Sequence, residues 1–266
     1  MPDPKLVEMK PQVYKDPRPA SYFTRFHERA RTREPDWVYE MCRVCVSIYT
    51  FIFFRARGIG ADNVPSSGAV IVAPNHFSFM DHFFMAMFIR RRVRFMAKSQ
   101  LFKRPMQWIY THGGVFPVRR GHRDDEWFVT AETILRGGGC VGMYPEGGRA
   151  RDGQLAASAK PGIGRLALET GAPVVPVAIF GSQRVRNWKR LHFPKVTVQY
   201  GEPLTFPVEA APSRERQQEV ADEIFTHIKQ LYAGLQEHGR RGIVQRVREQ
   251  RRALRRGKRR PAAPAS

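Results

Sequence analysis

Residues 69–89 read AVIVAPNHFSFMDHFFMAMFI, and this stretch decides the fold. Its first six residues are continuously apolar, the pattern of a short parallel strand covered on both faces. Asn75, His76 and Phe77 break the run. Ser78 can cap a helix heading toward Ile89, with Asp81 three positions later as in a capping box. A buried strand passing through a short loop into a helix is the repeating unit of an α/β protein.

Working outward, the unit recurs. Apolar runs over residues 93–97, 113–118, 140–144, 174–180 and 196–200 are expected as strands. Residues 125–135 and 161–169 have helical spacing, the second closed by Gly171. Residues 214–235 carry Val220, Ile224, Ile228 and Leu231 as the apolar stripe of a further helix. Short connections throughout point to a single layered α/β domain with a mostly parallel central sheet. It is preceded by an N-terminal helical, membrane-associating region over residues 37–54. The expected organisation is an N-terminal extension over residues 1–20, the folded domain over 21–235 and a basic tail over 236–266. No repeat of 20–50 residues is visible.

Composition bounds the partners. In 266 residues, 42% hydrophobic, there are 45 Lys and Arg against 24 Asp and Glu, a formal charge of +21. Such a surface calls for an anionic partner: nucleic acid, a lipid surface or a phosphorylated substrate. Residues 239–260 hold eleven Lys and Arg with one acid, Glu249, and read as a mobile arm or a surface-lying helix. Residues 1–19 lack the apolar run of a secretory signal. Residues 44–54, VCVSIYTFIFF, cover about 16 Å as a helix, against a hydrocarbon core of about 30 Å. A transmembrane span is therefore not expected, while burial or an interfacial placement stays open. Cys42, Cys45 and Cys140 form no disulfide framework and are expected as buried thiols of a reducing compartment. No cluster of His, Cys and acids has metal-ligand spacing, so no metal is expected. Phosphate-loop, dinucleotide-binding and nucleophile-elbow patterns are absent as well.

Three segments carry candidate chemistry. In the first, His76 stands at a strand end, where open sheets place ligand chemistry, and Asp81 can reach one imidazole nitrogen. That pairing fixes a tautomer and leaves the other nitrogen free to take a proton. Spacing alone equally allows a helix cap and an ordinary turn histidine; His82 is read as a surface or packing residue. In the second, GGVFPVRR over residues 113–120, Arg119 and Arg120 should point in different directions, one of them offering a phosphate a rigid donor fork. Solvated surface arginines are the plain alternative. In the third, YPEGGR over residues 144–149, consecutive glycines can expose backbone N–H groups to an anion and Arg149 adds a donor. Glu146 would take a substrate hydroxyl or hold an arginine. A surface turn is again the alternative.

Taken in order, these segments resemble the glycerolipid acyltransferase family, whose bacterial members include 1-acyl-sn-glycerol-3-phosphate acyltransferases. Asn75-His76 through Asp81 is similar to its NHxxxxD motif, residues 114–120 to its second motif, residues 144–149 to its third and Val175-Pro176-Val177 to its fourth. Lys160 and Gly162 also sit where many members carry a basic residue and a glycine. The resemblance covers residues 63–202. It implies that His76 and Asp81 are catalytic and that Arg120, Glu146, Gly147 and Arg149 bind the acceptor. Gly148 stands in place of the usual threonine and Ala150 in place of a frequent serine, which takes a hydroxyl donor out of the acceptor site.

The implied reaction moves a fatty acyl group from a thioester to the free hydroxyl of 1-acyl-sn-glycerol 3-phosphate, forming phosphatidic acid. Acyl-CoA or acyl carrier protein is the donor, and neither cofactor nor metal is required. Glycerol 3-phosphate, another lysophospholipid or a glycolipid are the alternative acceptors. The implied location is cytoplasmic, peripheral or monotopic at the cytoplasmic face of a membrane. Arg90, Arg91, Arg92, Arg94, Lys98, Lys103 and Arg104, with the tail, are expected to meet anionic membrane lipids. The rival from another class is a nucleic-acid-binding protein driven by the arginine-rich tail. The core holds no zinc-finger or RNP pattern, so nucleic acid is not expected as the primary ligand.

Overall fold

Strand β2 (Val70–Pro74) is buried along its whole length, and alternation explains how. Ile71 and Ala73 point into one core, with residues from four helices distant in sequence, while Val70 and Val72 point into a second core on the other face. Each such Val or Ile, fully buried, contributes about 1.5–3 kcal/mol. The computed structural model describes residues 15–122, 125–150, 152–185 and 193–259.

The chain begins with helices α1 (Ser21–Thr32) and α2 (Trp37–Phe54), then strand β1 (Arg57–Ile59) and β2. Helix α3 (Asp81–Ala86), strand β3 (Val93–Lys98), helix α4 (Met106–His112) and strand β4 (Phe116–Val118) follow. Helix α5 (Glu126–Arg136), strand β5 (Cys140–Gly142), helix α6 (Gly162–Thr170), strand β6 (Val174–Phe180), strand β7 (Thr197–Tyr200) and helix α7 (Arg214–Arg259) complete it. The strands form one seven-stranded sheet in the order β1-β7-β6-β2-β5-β3-β4. All neighbours are parallel except β6 and β7. The expected α/β class and mostly parallel sheet are both present.

The order of strands positions the site. The chain leaves β2 for α3, which packs on the face carrying Phe84 and Met85. It leaves the adjacent strand β5 for α6, whose Ile163, Leu166 and Ala167 pack on the opposite face. Connections departing from neighbouring strands in opposite directions open a crevice outside their carboxyl ends, where open α/β sheets bind ligands. Helix α6 is itself pressed against α7 through Gly164, where a Cβ would lie 1.9 Å from the Gln217 carbonyl oxygen.

Several expectations need correction. Helix α3 starts at Asp81, not after Ser78, because the Ser78 hydroxyl accepts the Met80 N–H at 3.1 Å inside a preceding turn. The run 113–118 is strand only from Phe116, since Gly113 closes α4. Cys140 is buried, with its thiol pushed up to about 12 by desolvation, but Cys45 is exposed and Cys42 half-buried. The basic tail is helical through Arg259, kinked at Gly239, and Ile243, Val244 and Val247 pack against the core. Three arginines of the basic region after α3 are tied up internally. Arg91 donates to the carbonyls of Gly68 and Gly138, Arg92 pairs with Glu40, and Arg94 is buried on the Ala30 carbonyl and Glu34.

The span argument also changes. Helix α2 has 18 residues, about 27 Å, because Asp36 caps it by accepting the Val38 N–H at 3.1 Å. It is long and apolar enough to cross a membrane by length and composition. Only a narrow stripe of it is buried: Val38, Tyr39, Thr50 and Phe54. The outer face exposes Met41, Val44, Ile48, Phe51 and Ile52, the last 65% accessible, which is consistent with membrane association.

Candidate active site

His76 and Asp81 come together as the spacing allowed. The imidazole Nδ1 lies 3.0 Å from Asp81 Oδ2, the carboxylate being fully buried and the ring half-buried. The same oxygen accepts the backbone N–H groups of Phe77 and Ser78, each at 2.7 Å. Three donors on one oxygen hold the carboxylate rigidly, and its pairing to Nδ1 leaves Nε2 as the imidazole's free nitrogen. Asp81 Oδ1 is buried without a protein partner.

The loop carrying His76 is fixed from both sides. Asn75, fully buried, mimics a strand residue: its side chain accepts the Ile179 N–H at 2.7 Å and donates to the Ile179 carbonyl at 3.2 Å. This bridges the ends of β2 and β6. On the β5 side, the His76 ring stacks on Tyr144, centroids 3.8 Å apart at 21°. Tyr144 is desolvated, which raises its hydroxyl well above the ordinary value. His82, on the far side of α3, packs against the rings of Phe83 and Phe95, and burial with the nearby His76 pushes it down to about 4. Asn75 and Tyr144 lie within the first and third segments, but spacing assigns neither a role of its own. Asn75 left one signal, a polar residue ending a buried strand, where an unpaired amide would be costly.

The turn after β5 contains the third segment. Gly147 has φ +65°, and a Cβ there would approach Lys160 Cγ to 3.0 Å, so the turn needs glycine on both counts. Lys160 secures it by donating its N–H to the Pro145 carbonyl at 2.8 Å. Glu146 is not displayed to solvent but is 2% accessible, and its Oε1 accepts the His76 N–H at 2.8 Å. Burial, assisted by Asp81 and Asp152, pushes its carboxyl up to about 8 against the pull of backbone N–H groups.

The two arginines after β4 diverge, as alternation suggested. Arg119 turns to the N-terminal layer, donating to the Arg18 carbonyl at 3.0 Å and lying over the Phe23 ring. Arg120 is half-buried. It is desolvated and feels the positive charge of Arg149, both of which lower its pKa. Among the described residues neither Arg120 nor Arg149 has a carboxylate partner. Two neighbouring guanidinium groups with no acid between them form a ready site for an anion carrying more than one oxygen.

Comparison with known proteins follows the same residues. The sequence model of the family described as Acyltransferase matches residues 55–180. A chloroplastic 1-acyl-sn-glycerol-3-phosphate acyltransferase of Arabidopsis thaliana is 28% identical over 149 residues, covering 54% of this chain and 41% of that protein. The 1-acyl-sn-glycerol-3-phosphate acyltransferase of Bacillus subtilis is 24% identical over 201 residues, covering 73% of this chain and 96% of that one. The chain spans about two fifths of the length of the chloroplastic relatives it matches. Among solved structures, the 1-acyl-sn-glycerophosphate acyltransferase of Thermotoga maritima superposes with a TM-score of 0.53 at 25% identity, covering 80% of this chain and 89% of that one.

Proposed function

The chain belongs to the acyltransferase family, and from that premise we propose that it transfers a fatty acyl group from an acyl thioester to the free hydroxyl of 1-acyl-sn-glycerol 3-phosphate. The product is phosphatidic acid. The observation that carries this reading is the His76–Asp81 pair, 3.0 Å apart, together with Arg120 and Arg149, which feel each other's charge and have no carboxylate partner among the described residues. A base without an adjacent protein nucleophile suits direct attack by a substrate hydroxyl.

In the proposed step His76 Nε2 removes the proton as the acceptor oxygen attacks the thioester carbonyl. The new C–O bond forms, the C–S bond breaks, and the thiolate leaves with the proton that His76 returns. Asp81 keeps the ring oriented and supports the transient imidazolium. Arg120 and Arg149 hold the acceptor phosphate, with the Gly147 turn shaping the space beside them. Donor and acceptor identities rest on the relatives, which are named for 1-acyl-sn-glycerol 3-phosphate; acyl-CoA or acyl carrier protein supplies the acyl group.

Placement at the cytoplasmic face of an anionic membrane fits the same reading. Helix α2 is tied down along its length. Arg43 donates to the Ile89 carbonyl, Tyr39 OH accepts the Val93 N–H, and Thr50 donates to Met87 Sδ. We take it to lie in the interface with its outer face in lipid, a peripheral or monotopic arrangement, since crossing would strip these contacts. The exposed Arg241, Arg246, Arg248 and Arg252 of α7 would add attraction to anionic lipid.

The test is direct. Purified full-length protein is incubated with acyl-CoA or acyl carrier protein and a panel of glycerophosphate, lysolipid and glycolipid acceptors, with products identified by mass spectrometry. Phosphatidic acid from 1-acyl-sn-glycerol 3-phosphate is the expected product. A folded protein that acylates none of the phosphorylated acceptors would overturn the reading.

A further inference from the structure

We infer that Glu146 is a positioning residue for the base His76 and not a ligand of the acceptor. The inference rests on the base role of His76 proposed above, and it changes what the turn after β5 is for.

Three contacts from one turn converge on one residue. Glu146 Oε1 accepts the His76 backbone N–H at 2.8 Å. Ala150, four residues later, donates its N–H to the His76 carbonyl at 2.9 Å. Tyr144, two residues earlier, stacks on the imidazole at 3.8 Å. Both backbone polar groups of His76 and its ring are therefore held by residues about 70 positions away in sequence. With Asp81 on Nδ1, the only atom of the residue left for chemistry is Nε2.

The carboxyl group of Glu146 is badly placed for substrate. It is 2% accessible, with Pro145 and Ala150 buried on either side of it in the turn. Its Oε1 is committed to the His76 N–H in the free protein, so a substrate hydroxyl taken there would release the loop that holds the base, and its Oε2 is buried away from solvent. Burial also favours the neutral acid, pushed up to about 8, and a neutral group is a poor electrostatic partner for either arginine. What the site uses is an acceptor oxygen at a fixed distance from the chain, and length matters more than charge. That is the opposite of what an anionic ligand of the acceptor would require.

Two substitutions separate the properties. Glu146→Gln keeps length and an acceptor oxygen but loses the acid; Glu146→Asp keeps the acid but is one methylene too short to reach the His76 N–H. Displacing a catalytic group by about 1 Å costs on the order of 10²-fold. The expected result is that Glu146→Asp and Glu146→Ala lose about 10²-fold in kcat with acceptor and donor KM within about threefold of the parent. Glu146→Gln then recovers most of that kcat. A raised acceptor KM with preserved kcat, or a Gln variant as impaired as the Asp variant, would overturn the inference.

A readout independent of turnover keeps this separate from the acyl-transfer reading. The His76 Nδ1 proton, shared with Asp81, is expected to give a downfield NMR signal in the parent, to persist in Glu146→Gln and to be lost in Glu146→Asp. If the parent fails to turn over any thioester, the function is wrong, but that signal still tests the clamp. If the parent turns over and the signal is unchanged in Glu146→Asp, the clamp is wrong.

Discussion

Two sets of arginines in this chain have opposite fates. Arg91, Arg92 and Arg94 follow one another in a segment dense in charge, yet each is spent on structure: on the carbonyls of Gly68, Gly138 and Pro35, on Ala30, and on Glu40 and Glu34. Arg120 and Arg149 lie 29 positions apart, also in charged segments, and neither has an acid partner among the described residues. Charge density in sequence therefore does not tell the two sets apart. What marks a ligand-binding arginine is the absence of an internal partner after folding, since a paired guanidinium has already met its demand for an anion.

The comparison can be broken most decisively at the base that the free arginines serve. His76→Ala should lower kcat by about 10²–10⁴-fold while leaving the melting temperature nearly unchanged. Steady-state kinetics and a melting curve on the same preparation check both halves. Turnover at the parent rate by folded His76→Ala protein would end the general-base assignment.

Next in size is Arg120→Ala. Losing a charge-assisted hydrogen bond to phosphate is worth about 1.5–3 kcal/mol, hence roughly a 10- to 100-fold rise in the KM of a phosphorylated acceptor. The donor KM should hold. Stability should stay level or improve slightly, because the repulsion from Arg149 is relieved. Equal damage with phosphorylated and phosphate-free acceptors would remove the distinction between the two sets.

Arg94→Ala should behave in reverse. Truncation strands the buried Ala30 carbonyl and costs about 1–3 kcal/mol of stability, a loss of some 2–4 °C per kcal/mol for a chain of this size. Acceptor KM should not move. A raised KM for phosphorylated acceptors would show that a partnered arginine also reaches the substrate.

The smallest effect is a slope in pH. Glu146 keeps its proton in the fold up to about 8, while the unfolded chain releases it near the ordinary 4.5. Between those values the folded state binds more protons, so stability falls as pH rises. His82, pushed down to about 4 by burial, acts oppositely, adding stability as pH rises from about 4 to its ordinary 6.5. From 6.5 to 8 only Glu146 of the two titrates. The melting temperature should drop across that window, and Glu146→Gln should flatten the drop. An identical slope in the Gln variant would mean that the carboxyl is ionised in the fold, making it a charged group like the free arginines and not a neutral clamp.

The sequence by itself determined the layers and the order of the chemistry. Continuous apolar strands need cover on both faces, and helical stripes supply it, so β2, β6, α5 and α6 were legible from period and length. So were Gly171 as a helix stop and the pairing of His76 with Asp81, because those contacts span only a few residues. Short or interrupted elements were not: α4 and β1 have no clean period, and their packing against the rest is what forms them, while the stripe of Phe23, Phe26 and Ala30 in α1 is present in sequence but set among charged residues. Only the tertiary structure decided that Glu146 lies beneath His76, that Arg120 meets Arg149, and that the arginines after α3 and the start of the basic tail are used as internal braces. The physical reason is common to all of these. Each depends on which polar groups the fold brings together across 23 to 185 residues of chain, and a buried group's partner, not its neighbours in sequence, sets its protonation, its orientation and whether it is left free to bind.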